Sequence, residues 1–360
     1  MIEPDAFAAL ICDWCLEVEA AQQILLSGPT PAEPLVRSLH NAILDRGAWP
    51  LIRLTPPEIG ADFHGHAADA HLDSFAPVEL AEVQSADAVL SINAPANTRA
   101  LADIDPGKLT RAVTARRPIH EARLTKRWCG TLWPTAALAQ DARMSEHDYT
   151  EFVRRALFLD RPDPVRAWQE LSERQAGIVE ELSAVGEIRI EAEGTDLRLR
   201  VDGRTWVNSD GRRNMPSGEV FTGPLEDSAN GTVRFTVPSS PRGLEVSDVE
   251  LTFADGRVTD YRAQRGHAYL EAALHTDAGA RYLGELGIGT NPNIDRATGS
   301  VQLDEKLAGT VHLALGRSYR ETGGENDSAL HWDMICDLRS GGRISGDGQT
   351  LNDRLWRVGT

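Results

Sequence analysis

Four cysteines are all that the 360 residues contain, at positions 12, 15, 129 and 336. That scatter is no disulfide framework, so an oxidising compartment is not expected. Cys12 and Cys15 form a CxxC, but they lie in FAALICDWCLEVEA, where apolar residues recur at helical spacing. No second CxxC completes a zinc site, and the pair reads as buried helix thiols. Basic residues are also few: 37 Lys and Arg stand against 54 Asp and Glu, a net charge of -17, with a sequence pI near 5.0. Phosphate binding needs a surface of the opposite sign, so nucleic acid is not an expected partner. No apolar run reaches the roughly 20 residues that span a bilayer, so no membrane is expected. The acidic opening MIEPD lacks the basic start of a secretion signal, and a cytoplasmic location is expected. Neither a GxGxxG after a strand nor a Walker A lysine is present, so there is no nucleotide fingerprint.

What is present is an ordinary globular composition, 41% hydrophobic and 25% charged, long enough for two domains. Residues 6–26 and 31–46 carry apolar side chains at three- and four-residue spacing, as in Leu35, Leu39, Ile43 and Leu44, and are predicted as amphipathic helices. Short apolar runs at 49–54, 88–92 and 128–133 suit buried strands. Strands alternating with helices predict an N-terminal α/β domain, open and three-layered. Between them DFHGHAADAH, residues 62–71, holds three histidines but no apolar periodicity, and reads as a mobile loop rather than a metal site. From Met144 the pattern is helical. Ser145 is a suitable N-cap for a stripe of Tyr149, Phe152, Val153 and Ala156, and residues 162–185 form a second helix through Trp168, Leu171 and Ile178. After Gly186 apolar and polar residues alternate, in IRIEA, LRLRV, VRFTV and VELTF, with turns at Asp202-Gly203 and Asp255-Gly256. A boundary near residue 186 therefore separates residues 1–185 from a β-rich α+β domain of residues 186–360.

The strong candidates for chemistry lie in that second half. Residues 309–333, GTVHLALGRSYRETGGENDSALHWD, contain His312, Tyr319, His331 and Asp333. His331 and Asp333 are two residues apart, so on a strand both point to one face and can grip one ion. Alone, such a tripeptide is more often a solvated piece of strand. Two upstream carboxylates change its meaning. Glu219 sits in NMPSGEVFTGP, on a short apolar run between turn residues, and Glu285 in GELGIGTN, predicted as a glycine-rich bend in which the backbone can take positive φ. Each alone is more often a surface glutamate. Together the six groups exceed what one zinc-like ion requires and suggest two metals.

The segments GEVFTGP, LGELGIGTN, GTVHLALGRSY and HWD resemble the metal-binding motifs of the thermophilic metallo-aminopeptidases, the family of aminopeptidases T and S. The resemblance runs nearly the full length: WVNSDGRRNMPSGEVFTGP is similar to the family's entry to its first glutamate, and RWCGTLWPTAALAQDARMSEHDYTEFV to its helical linker. Carried over, Glu219, Glu285, His312, Tyr319, His331 and Asp333 match the liganding set. The connection between Tyr319 and His331 is shorter than the family's, which bears on loop shape and substrate preference. The resemblance implies a dinuclear site for two divalent ions (Zn2+, Co2+ or Mn2+), removal of the N-terminal residue from short peptides or aminoacyl amides, and a homodimer with residues 1–185 as scaffold and dimerisation domain. Ions roughly 3.5–4 Å apart share and acidify a water. Glu285 is favoured over Glu219 to move its proton, because the predicted bend frees it. Tyr319 ligates or hydrogen-bonds the oxyanion, and Trp332 packs. Two alternatives stay open. His312, His331 and Asp333 alone would make the facial triad of a mononuclear non-haem iron dioxygenase of the dihydroxypyridine-cleaving kind, which resembles the same peptidases; Glu219 and Glu285 would then be superfluous. The other is a non-catalytic peptide-binding member, against which six intact ligands count.

Overall fold

A computed structural model describes residues 2–356 apart from Ser240, Arg242 and Gly243. The N-terminal helix is shorter than predicted. It runs over Pro4–Leu10 and one further turn, Ile11–Cys15, which buries Cys12 and Cys15. Positive φ at Glu17 (44°) and Ala21 (67°) then ends any helical course. Ile24, Leu25 and Leu26 belong instead to strand β1 (Gln23–Pro29), whose apolar run reads as helix only when taken together with the stretch before it.

With β2 (Trp49–Thr55), β3 (Ala88–Asn93) and β4 (Arg127–Leu132), β1 makes a parallel sheet in the order β2-β1-β3-β4, extended at β4 by Asn214–Met215. Parallel neighbours need long crossovers, and helices such as Glu33–Asp45, Pro77–Ser85 and Arg117–Leu124 fill them. The predicted loop at 62–71 is largely helical, in Ile59–His66 and Asp69–Leu72; it escapes the periodicity test because none of residues 62–71 is buried, the first buried side chain being Leu72 just after them. Ser145 caps the helix Glu146–Ala156 by accepting the Asp148 N–H at 3.1 Å. The next helix, Pro164–Ser183, is shared between two compact units. One comprises Met1–Trp168 and Gly211–Pro216, the other Gln169–Asp210 and Ser217–Thr360. The change of composition lies further on, at Gly186.

In the second unit the strands described pair antiparallel, with one isolated parallel bridge between Asn291 and Leu307. A seven-stranded sheet contains β5 (Glu187–Ala192), β6 (Thr195–Arg200), β10 (Asn230–Phe235), β11 (Val249–Ala254), β12 (Arg257–Arg262), β16 (Arg343–Gly346) and β17 (Gln349–Thr350), in the order β12-β11-β10-β6-β5-β16-β17. A five-stranded sheet has the order β15-β14-β13-β9-β7, from β7 (Val207–Ser209), β9 (Glu219–Thr222), β13 (Leu283–Gly289), β14 (Thr310–Gly316) and β15 (His331–Asp337); β8 is Asn214–Met215 of the first unit. The expected order, a parallel sheet followed by β-rich structure, is present.

One apolar core joins the two antiparallel sheets. Ile188, Ile190, Leu197, Leu199, Val233 and Leu251 of the larger meet Leu286, Ile288, Val311, Leu313, Met334 and Cys336 of the smaller. Strand side chains alternate in direction, so the residues between these apolar ones point to the opposite face. That second face carries the site. Among the described residues, no helix is long and apolar enough to cross a membrane.

Candidate metal centre

Along β14, Val311, Leu313 and Leu315 enter the core, leaving His312 and Ala314 on the other face. Along β15, Trp332, Met334 and Cys336 enter it, which leaves His331 and Asp333 beside Ala314. Val220 does the same for Glu219 on β9. Glu285 needs an extra device. Leu283 and Leu286 both face the core although they are an odd number of residues apart, because the pairing with β14 shifts between Leu283 and Glu285. This β-bulge reverses the alternation and turns Glu285 onto the site face. Glu285 therefore stands on a strand, buried at 5% exposure, and not on the bend that its glycines predict.

The glycines serve the site differently. Gly287 is the cross-strand partner of His312, and a Cβ built there would fall into the imidazole ring. Gly218, at φ 115°, brings the chain against Asn291 just before Glu219. Behind Glu219 the fully buried Gln175 ties two strands together, its Nε2 donating to Glu219 O and Asn208 Oδ1, both at 2.7 Å.

Five of the six residues singled out in the sequence form one continuous cluster. Glu285 Oε1 is 3.3 Å from His312 Nε2, and Glu285 Oε2 is 3.5 Å from His331 Nε2. Glu219 Oε2 lies 3.4 Å from His312 Nε2, and Asp333 Oδ2 lies 3.5 Å from His331 Nε2. Two ligand groups result, Glu219–Glu285–His312 and Glu285–His331–Asp333, with Glu285 in both. The sixth residue, Tyr319, sets its ring edge-on to His331, with centroids 5.1 Å apart.

The donors suit a metal. Glu219 Oε2 and Asp333 Oδ1 are buried without a hydrogen-bond partner, which is uncommon for polar atoms in a folded interior. The Nδ1 of His331 is 2.8 Å from Arg317 O; as the N–H donor it fixes the tautomer whose Nε2 lone pair faces the carboxylates.

Residues 3–351 match the sequence pattern of the thermophilic metalloprotease (M29) family. This chain belongs to that family. Aminopeptidase 2 of Geobacillus stearothermophilus is 33% identical to it, over 96% of this chain and 95% of that protein. Aminopeptidase T of Thermus thermophilus is 27% identical over 89% of this chain and 88% of its own length. The solved structure of wild-type AmpT from Thermus thermophilus has the same fold, with a TM-score of 0.85 at 24% identity over 99% of both chains. A 2,5-dihydroxypyridine dioxygenase from Pseudomonas putida shares the fold more loosely, with a TM-score of 0.59 at 14% identity over 98% of this chain and 96% of the other. As an M29 protein the chain is a metal-dependent aminopeptidase, a hydrolase of peptide bonds.

The electrostatics of this M29 site follow from its burial. Loss of water works against charge on His312, yet its hydrogen bond to Glu285 and the nearby carboxylates hold its pKa up to about 9. His331 is held up to about 10 in the same way, chiefly by Asp333. Burial pushes Glu285 up, opposed by His312, whereas the imidazolium of His331 outweighs burial at Asp333 and brings it down to about 2. The carboxylates thus favour a proton on each imidazole, and a bound cation would compete with it.

Sequence reasoning missed Glu305 and Lys306. They follow the short helix Val301–Asp304, and Glu305 forms a third ligand group with His312 and Asp333. Lys306 Nζ donates to Glu219 Oε1 at 2.6 Å and to Glu305 Oε1. Burial lifts Glu305 to about 7, against the pull of Lys306. The signal was there: DEK, residues 304–306, is a charged triplet closed in by Leu303 and Leu307, just before the GTVHLALG motif.

Proposed function

We propose that this aminopeptidase hydrolyses the N-terminal peptide bond of short peptides at a centre for two divalent ions, one held by Glu219, Glu285 and His312 and the other by Glu285, His331 and Asp333. The observation that carries the reading is Glu285, whose two oxygens face two different imidazoles at 3.3 and 3.5 Å. A single iron held by His312, His331 and Asp333 would leave Glu219 and Glu285 without a role, so their placement favours the hydrolase. Bound together, two such ions lower the pKa of a water and polarise the scissile carbonyl.

The remaining work falls to side chains. Glu305 belongs to neither ion's group of three, and with a pKa of about 7 it is suited to take the water's proton and hand it to the leaving amine. That leaves Glu285 as the shared ligand. Burial and the surrounding carboxylates push the Tyr319 hydroxyl upward, which keeps it a hydrogen-bond donor for the developing oxyanion. The test is metal content by elemental analysis beside cleavage of aminoacyl amides and dipeptides. About two ions per chain, with release of the N-terminal residue that stops on chelation and returns with metal, is the expected result. One iron per chain and oxygen uptake on a dihydroxylated ring, with no peptide cleavage, would overturn it.

A cavity of about 270 Å³ adjoins His331 and Asp333, with Val237, Pro238, Val301, Trp332 and Ile335 among its walls. Those walls suit an apolar N-terminal side chain. Val301 is 49% exposed, so a larger residue there can fill the cavity without entering the core. Val301→Trp is expected to lower kcat/KM for leucinamide against alaninamide by about tenfold, the scale on which pockets discriminate methylene groups. An unchanged ratio would remove the cavity from the substrate's path.

A further inference from the structure

Lys306 is fully buried, and an ammonium in such a place is tolerated only when paired. Its Nζ takes one oxygen from Glu219 and one from Glu305. What remains of Glu219 is Oε2, which has no hydrogen-bond partner and stands 3.4 Å from His312 Nε2. The lysine thus aims one face of the acidic cluster before any ion arrives. On the other side Glu285 Oε2 and Asp333 Oδ2 are each 3.5 Å from His331 Nε2. Lys306 touches Glu219, a ligand of one group only, and keeps its charge whatever enters, so the two sides differ.

We propose that Lys306 is a positioning residue that makes the two metal positions unequal, its ammonium holding Glu219 so that the ion on the Glu219–His312 side binds more weakly than the ion on the His331–Asp333 side. The inference rests on the two-ion reading. It follows from linkage, since a charge that stabilises the metal-free centre is repelled by the cation that enters it. The first ion would be structural in its persistence, and the second would exchange with the free metal of the solution.

The test is a calorimetric titration of the metal-free full-length chain with Mn2+, together with thermal unfolding of the metal-free and loaded forms. Wild type is expected to bind in two steps at least about tenfold apart in Kd. Lys306→Met keeps much of the side chain and removes the charge. The weaker step should tighten by about tenfold, and Tm should fall more in the metal-free form than in the loaded one, a pattern that lost packing alone would not give. Lys306→Arg keeps the charge and should keep the two steps apart. Two equal steps in wild type, or an unchanged separation in Lys306→Met, would overturn the role of Lys306 and leave the two-ion reading intact. One ion per chain would remove both. Should Lys306→Met not fold, Lys306→Gln, neutral but able to donate to a carboxylate, takes its place: the weaker step should tighten in the same way, and an unchanged separation would overturn the role.

Discussion

Glu285→Gln is expected to reduce kcat/KM by at least about 10³-fold while leaving the fold intact. Glutamine has the shape of glutamate, so the strand and its bulge lose no packing. What it lacks is the second anionic oxygen. Glu285 presents Oε1 to His312 and Oε2 to His331, and an amide offers one acceptor and one donor in the same places. The NH2 group would point at an imidazole or at the ion it should bind, and one of the two proposed ions should be lost. Metal analysis distinguishes the possible roles. A variant with fewer than two ions and no turnover fits a shared ligand. One that keeps both ions and loses only turnover would make Glu285 the proton carrier and release Glu305 from that duty. Glu305→Gln supplies the complement, since it should keep both ions and lose rate.

The ease of reading this chain followed how local each feature was. His331 and Asp333 are two residues apart on one strand, and period-2 geometry alone puts them on one face; the structure has them 3.5 Å apart. His312, Glu219 and Glu285 come from three other strands. Their meeting depends on antiparallel register, which spacing does not encode; residue chemistry suggested the grouping, and the resemblance to a family supported it. The bulge before Glu285 was illegible for the same reason. GELGIG carries glycines, and a glycine's freedom suggests a bend, whereas these glycines make room for an opposing imidazole and for neighbouring backbone. Strand β1 was hidden because its apolar run continues the helical spacing of the residues before it. Glu305 and Lys306 were passed over because adjacent opposite charges usually mean a solvated turn, and only the tertiary structure shows that Lys306 has no exposure at all.

Gly287→Ala adds one methyl group and is expected to disable half of the centre. The Cβ would fall where the His312 ring lies, and both residues sit at the middle of a sheet packed on its other face by Leu286, Ile288, Val311 and Leu313. Neither strand can retreat into that core, so the ring must turn away or the pairing must open. Overpacking of a close-packed site costs typically 1–3 kcal/mol, and urea unfolding of the metal-free protein should show about 3 kcal/mol lost, the upper end of that range. Turning the imidazole away removes a ligand from the Glu219–Glu285–His312 group and leaves the Glu285–His331–Asp333 group in place. Metal content should fall towards one ion per chain, with activity lost. Gly177→Ala is the control: it lies in the helix Pro164–Ser183 with no atom within 4 Å of the added carbon, and should gain about 0.5–1 kcal/mol. A Gly287→Ala protein as stable as wild type and loaded with two ions would show that His312 does not pack across Gly287, and would undo the register on which the whole centre is built.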